Sequence, residues 1–190
     1  MTEADDSDEA LMARYARGEP AAFALLYRRH ELRVWHYLER NVGNRPLAED
    51  LLQEVWFAVA REAAEYRPTA RFTTWLFTIA HHRIIDAIRA RRAHLSLESM
   101  GYEAAPVIEH LSSDAAAGPL AATLAREQAS ALARALRELP PEQRDAFLLQ
   151  MEGGFGVEEI AAITGSSFET TKSRLRYARL KLRELLSEHT

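Results

Sequence analysis

Apolar residues recur along this chain at helical spacing almost throughout. No stretch alternates convincingly as a strand, and β-branched residues are sparse, so the fold class expected is all-α. A short helix is expected over Asp8 to Arg17, closed by Gly18. Pro20 suits the first turn of a second helix, with Phe23, Leu26, Tyr27, His30, Val34 and Leu38 inward. Gly43-Asn44 ends it and Pro46 opens a third, whose core stripe is Leu47, Leu51, Leu52, Val55 and Val59. After a loop from Tyr66 to Arg71, marked by Pro68, a fourth helix spans Phe72 to Arg92 and buries Phe72, Leu76, Ile79, Ala80, Ala87 and Ile88. From Ala93 to about Pro119 the periodicity fails and Ser, Gly, Pro, Ala and acids dominate, as in a linker.

A second set of helices follows. Leu124, Leu132, Leu136 and Leu139 line the first, Pro140-Pro141 stops it, and the next carries Phe147, Leu148 and Met151. Val157, Ile160, Ala161 and Ile163 then form a short helix broken at Thr164-Gly165-Ser166, because glycine takes a left-handed turn at no steric cost. Ser166 and Glu169 read as a capping pair for a last helix. Its inward stripe is Thr171, Leu175, Ala178 and Leu182; its outward stripe is Glu169, Lys172, Ser173 and Arg176, flanked by Arg174, Arg179, Lys181 and Arg183. A short helix, a glycine turn and a cationic second helix have the form of a helix-turn-helix, whose second helix fits the major groove of DNA. An ordinary helical hairpin with a solvated basic face has the same pattern.

The boundaries expected are 1–95 for a first helical domain, 96–119 for a flexible acidic linker and 120–190 for a second domain containing the helix-turn-helix. Charge sharpens this division. The formal net charge is −4, which argues against a nucleic-acid partner until its distribution is read. Residues 1–95 and 128–190 are each balanced, and the deficit lies between Ser96 and Glu127. Cations cluster at Arg83, Arg89, Arg91 and Arg92 and again from Lys172 to Arg183, two basic patches able to meet nucleic acid despite the overall sign. The chain has no cysteine, hence no disulfide or thiolate site. No apolar run reaches membrane-spanning length and the N-terminus is acidic, so no membrane insertion is expected and the location expected is cytoplasmic.

Two helical faces stand out. On the third helix Asp50, Gln53, Glu54 and Phe57 share an outer face beside Trp56; such a mixture suits a partner-binding surface or a solvated face whose aromatics fold inward. On the fourth, Trp75, His82, Asp86 and Arg89 share a stripe, and the loop before it offers Tyr66, Arg67 and Arg71. Aromatics among arginines suit unpaired bases, which need surfaces to stack on and cations for phosphates. A core Trp75 and a basic helix end would look the same. His81 and His82 point about 100° apart on a helix and cannot share an ion, so no metal and no cofactor are expected. There is no phosphate loop, dinucleotide fingerprint or nucleophile elbow, and no enzyme is expected.

Four motifs in order, LAEDLLQEVWF (Leu47 to Phe57), FTTWLFTIAHHRIIDAIRARR (Phe72 to Arg92), LRELPPEQRDAFLL (Leu136 to Leu149) and TTKSRLRYARLKLR (Thr170 to Arg183), resemble those of bacterial RNA polymerase sigma factors of the small, two-domain extracytoplasmic-function (ECF) group. The resemblance implies a sigma region 2-like domain, a connector threading the polymerase channels and a region 4-like domain. The face of Asp50, Leu51, Gln53, Glu54 and Phe57 would grip the β′ coiled coil of core RNA polymerase. Tyr66, Arg71, Phe72, Trp75, His82, Arg83 and Arg89 would lie near the promoter −10 strand. Lys172, Ser173 and Arg176 would read the −35 element, with Thr170, Arg174 and Arg179 placed for phosphates. The polymerase β flap, promoter DNA and an anti-sigma factor are the further partners implied. Two departures bear on these roles: many relatives carry asparagine at His82, where the side chain helps hold a flipped base, and an aliphatic residue at Thr171. A stand-alone helix-turn-helix regulator would leave the Leu47 and Phe72 motifs without a task. A sigma mimic titrating an anti-sigma factor would not need the DNA-facing cations.

Overall fold

The computed structural model describes residues 6–97 and 119–187, with the backbone alone for 92–97 and 119–126. Helix α1 (Asp8–Ala16) starts where the Ser7 hydroxyl accepts the Ala10 N–H, and Leu11 and Met12 bury its inner face. Helix α2 (Pro20–Val42) begins on a proline, whose missing N–H costs nothing at that position, and ends at Gly43 in the left-handed region (φ +62°). Asn44 caps α3 (Arg45–Glu62) by accepting the Leu47 N–H at 2.9 Å. Helix α4 runs Phe72–Leu97. The second set comprises α5 (Pro119–Arg137), α6 (Pro141–Gly153), α7 (Val157–Thr164) and α8 (Phe168–Ser187).

Helix α2 is the central post. Helices α1, α3 and α4 pack on it from one side of the chain, and α6 and α5 from the other, while α7 leans on α4 and α8 closes over α5, α6 and α7. The two helical units therefore share one continuous apolar cluster, from Leu26, Tyr37 and Phe77 to Leu148, Phe155 and Ile163. Gly153 lets the Phe155 ring fold back over it: it is buried, and a Cβ there would lie 2.2 Å from that ring.

Several expectations need correction. Helix α4 continues to Leu97, five residues beyond Arg92 and into the stretch read as connector; residues 98–118 lie outside the described residues, as do the side chains of Arg92 and Leu124. The cap of α8 is Ser167, not Ser166: the Ser167 hydroxyl accepts the Thr170 N–H at 3.1 Å. Ser166 instead bonds the hydroxyls of Thr164 and Thr171, tying the turn to both helices. Met151 is 39% exposed, because it lies on the opposite side of α6 from the buried Leu149 and Gly153.

Candidate nucleic-acid interface

The α7–α8 turn is built as the glycine spacing requires. Gly165 sits at φ +62°, and its neighbour's N–H donates back to Ala161 O at 3.0 Å. Thr171, Leu175, Ala178 and Leu182 are buried and fix the rotation of α8 about its axis. That rotation leaves Thr170, Lys172, Ser173 and Arg176 exposed on one side. The Arg176 guanidinium lies 6.0 Å from the Tyr177 ring centroid, and the Lys172 ammonium lies 6.0 Å from the Phe168 ring centroid and 4.0 Å from a Glu169 oxygen. Arg179 is exposed but its guanidinium donates to the Gln150 side chain on α6. Arg174 is half-buried and turns toward α4.

A cluster of three aromatic rings marks the start of α4. Tyr66 lies 4.9 Å from Trp75 and 6.2 Å from Phe72, and Phe72 lies 5.9 Å from Trp75, centroid to centroid. Phe72 is fully buried and supports the other two, which are partly open. The Tyr66 hydroxyl is shielded and has no hydrogen-bond partner among the described residues. Burial pushes its pKa up, and the charges of Glu9 and Asp8 add to the effect. About two to four turns beyond Trp75, His82, Asp86 and Arg89 are exposed, and Arg83 is half-buried with Nε 3.6 Å from a Glu54 oxygen, too far for a hydrogen bond.

On α3, Asp50, Gln53, Glu54 and Phe57 project outward; Phe57 is 72% exposed. Leu51, expected in the same contact, is 4% exposed and lies in the core, as does Trp56, because the helix turns both away from this face. Phe57 instead rims a shallow apolar groove of about 290 Å³, walled by Phe23, Tyr27, Leu52 and Trp56.

What the sequence did not reveal is how the two halves meet. Asp145 on α6 is buried between them: Tyr37 O–H donates to its Oδ1 at 2.6 Å, and His81 Nδ1 lies 3.0 Å from its Oδ2. Glu152 pairs with Arg40, and Arg33 donates to the Glu152 and Gly153 carbonyls at 2.8 and 2.7 Å. Glu159 accepts the Gly156 N–H and lies 3.8 Å from Arg71. Acids of the second half thus face bases and donors of the first. Between them opens a polar cleft of about 850 Å³, lined by His82, Arg83 and Arg89 on one wall and by Glu142, Thr164 and Arg174 on the other. Spacing held one faint signal: Val34, Tyr37, Leu38 and Asn41 form a second buried stripe on α2, which a helix facing neighbours on two sides requires. Among the described residues no group of three or more His, Asp or Glu side chains is arranged to hold a metal ion, and no helix is long and apolar enough to cross a membrane.

Residues 26–94 match the family model of sigma-70 region 2, and residues 129–182 match that of sigma-70 region 4. The RNA polymerase sigma factor CarQ of Myxococcus xanthus is 37% identical over 177 residues, spanning 93% of this chain and 96% of CarQ. The ECF RNA polymerase sigma factor SigK of Mycobacterium ulcerans is 33% identical over 182 residues, spanning 95% of this chain and 94% of SigK. Among solved structures, CnrH in complex with the cytosolic domain of CnrY has a TM-score of 0.70 at 25% identity, covering 97% of this chain and 100% of that one. The sigma factor RpoE of Bartonella quintana, solved with the anti-sigma factor NepR, shares the fold with a TM-score of 0.71 at 24% identity, covering 87% and 96%.

Proposed function

Since the chain belongs to the ECF group of the sigma-70 family, we propose that it divides promoter recognition between the three surfaces described above. It binds core RNA polymerase and directs promoter-specific initiation. The exposed α3 face, with Phe57 as apolar anchor and Asp50, Gln53 and Glu54 around it, docks on the polymerase. A large aromatic left 72% exposed on an otherwise acidic face is what a hot spot of binding energy looks like before its partner arrives. The Tyr66–Trp75 platform, with Arg71, His82, Arg83 and Arg89, captures unpaired −10 bases by stacking and by phosphate contact. The exposed side of α8 enters the major groove at the −35 element: Lys172, Ser173 and Arg176 reach base edges, while Thr170, Arg174 and Arg179 serve the backbone.

The single observation that carries this reading is the rotation of α8. Its four buried residues leave Lys172, Ser173 and Arg176 as one contiguous exposed face, directly after a glycine turn. The work is binding throughout: no bond is made or broken by this chain. An anti-sigma factor covering the polymerase-facing surface is the regulator this reading includes, and the chain acts in the cytoplasm with the polymerase.

Reconstituted transcription tests the reading. Lys172→Ala and Arg176→Ala lower initiation from the chain's own promoter and leave polymerase binding intact; each base-edge contact is worth about 1–3 kcal/mol of discrimination. Phe57→Ala does the converse, weakening core binding while the isolated chain keeps its stability. Unchanged initiation by the α8 variants would remove the −35 assignment.

A further inference from the structure

Helix α4 opens without a cap of its own. The two residues before Phe72 are Ala70 and Arg71, and neither side chain is an acceptor. The first N–H groups of a helix have no partner within it, so they need one from elsewhere. For Phe72 the partner comes from 63 residues earlier: Glu9 Oε1, on α1, accepts its N–H at 2.8 Å. A carboxylate is also the favoured charge at that helix end.

The residue beside it secures the ring. Asp8 Oδ2 lies 2.7 Å from His30 Nε2, Asp8 Oδ1 accepts from Arg29 at 2.9 Å, and the His30 ring stands 5.6 Å from that of Phe72. Both the backbone and the side chain of Phe72 are thus set from α1, which lies outside the 26–94 match to region 2. Phe72 in turn supports Tyr66 and Trp75. Helix α1 has its own anchors, the buried Leu11 and Met12 and the Arg14 pairs with Asp6 and Glu19. Loss of Glu9 therefore leaves α1 docked and frees the start of α4.

We propose that Glu9 is a positioning residue for promoter melting: its carboxylate, seated on the Phe72 amide, holds the Tyr66–Trp75 platform in the geometry that receives unpaired −10 bases. Glu9 touches no base itself. The proposal rests on the assignment of that platform to the −10 strand.

The test uses holoenzyme and a promoter fragment selected by the wild-type holoenzyme from a random-sequence duplex pool, with 2-aminopurine in its −10 segment. Glu9→Ala lowers open-complex formation about fivefold, the scale of a lost helix cap. Core binding and affinity for a −35-only duplex stay unchanged. Glu9→Gln, whose amide oxygen still accepts, stays within about twofold of wild type. Glu9→Met, of similar length without the acceptor, repeats the alanine result should alanine loosen α1. Amide exchange at Phe72 is fast in the alanine and methionine variants and slow in the glutamine one. Full opening by Glu9→Ala despite fast Phe72 exchange overturns the proposal. So does a loss shared equally by opening, core binding and −35 binding, which would mark Glu9 as merely structural. Tyr66→Ala and Trp75→Ala separate the two levels: if they leave opening intact, the platform assignment fails and takes the proposal with it, whereas if they impair opening and Glu9→Ala does not, only the proposal fails.

Discussion

The Tyr37 hydroxyl donates to the Asp145 carboxylate at 2.6 Å across the junction of the two halves, although 108 residues separate them in the chain. Tyr37 is fully buried and Asp145 is 6% exposed. Burial raises the Tyr37 pKa well above its ordinary value, and the adjacent Asp145 charge and hydrogen bond push the same way. A buried carboxylate is tolerated only when partners replace water, and here α2 supplies the Tyr37 hydroxyl as donor while α4 brings His81 Nδ1 within 3.0 Å of the other oxygen.

Removing one partner leaves an acceptor without water or donor. Tyr37→Phe is expected to lower unfolding free energy by about 1–3 kcal/mol. Asp145→Ala costs a similar amount, and the double variant costs less than the sum because both report the same contact. Urea unfolding of the four proteins measures this coupling, and strict additivity would show that the contact contributes nothing to holding the halves together.

The closed arrangement sets a geometric conflict with the proposed function. Elements centred near −10 and −35 lie about 25 base pairs apart, roughly 85 Å of B-DNA at about 3.4 Å per step. Yet Arg71 faces Glu159 at 3.8 Å, and Phe77 stacks edge-on to Phe155 with ring centroids 5.2 Å apart. The halves must therefore part when both elements are bound. Because the chain has no cysteine, Arg61→Cys and Glu184→Cys give a clean labelling pair on exposed sites of α3 and α8. Energy transfer between the labels falls by an amount equivalent to tens of ångströms when the promoter complex forms. Unchanged transfer would mean the halves stay docked and the two-element reading is wrong.

Local periodicity made much of this legible. The α8 stripe of Thr171, Leu175, Ala178 and Leu182 follows from 3.6 residues per turn alone, and Gly43 and Gly165 end helices where the spacing breaks. The exposed α3 face follows from the same rule. The capping pattern points one residue early because Ser166 and Ser167 are both competent donors and acceptors, and only the path of the turn selects Ser167. Phe72 and Leu51 belong to motifs but are buried, since a motif mixes residues that touch a partner with residues that support them. The polar pairs Tyr37–Asp145, Arg40–Glu152 and Glu9–Phe72 left no periodic trace: each joins distant segments, and nothing local specifies the partner.

Acid should weaken the fold in two separate steps, the first at the junction of the halves and the second where α1 meets α2. His36, beside Glu152 at 3.8 Å, has its pKa lowered from 6.5, first by burial and further by the Arg40 charge, against the opposing pull of Glu152. A depressed histidine favours the neutral form in the fold. Its contribution is present above pH 6.5 and is lost as pH falls toward the lower folded value. Asp8 behaves likewise further down: burial works against its ionisation, but the hydrogen bonds and charges of His30 and Arg29 outweigh it and hold the carboxyl below 3.8. Its contribution is present above pH 3.8 and lost below. Urea midpoints therefore drop first below pH 6.5 and again below pH 3.8; His36→Asn flattens the first step, and Asp8→Asn reduces the second. A first step untouched by His36→Asn would assign it to another group.

Thr171 gives the sharpest separation of support from readout. It is fully buried, and its hydroxyl donates to Ser167 O at 3.0 Å while lying 2.8 Å from Ser166 Oγ. The group thus fastens the turn to the first coil of α8, in a position where an aliphatic side chain would only pack. Thr171→Val keeps the shape and deletes those bonds. Ser166 retains Thr164 as a partner at 2.9 Å, and the Ser167 carbonyl keeps the Thr171 N–H at 3.0 Å, so no group is stranded. The cost is then expected near the lower end for a hydrogen bond, about 0.5–1 kcal/mol, visible as a lower urea midpoint. Lys172, Ser173 and Arg176 stay on the opposite face, so the variant selects the same −35 sequence from a randomised promoter pool as the wild type does. A changed −35 preference would mean that Thr171 sets the angle of α8 in the groove as well as its attachment.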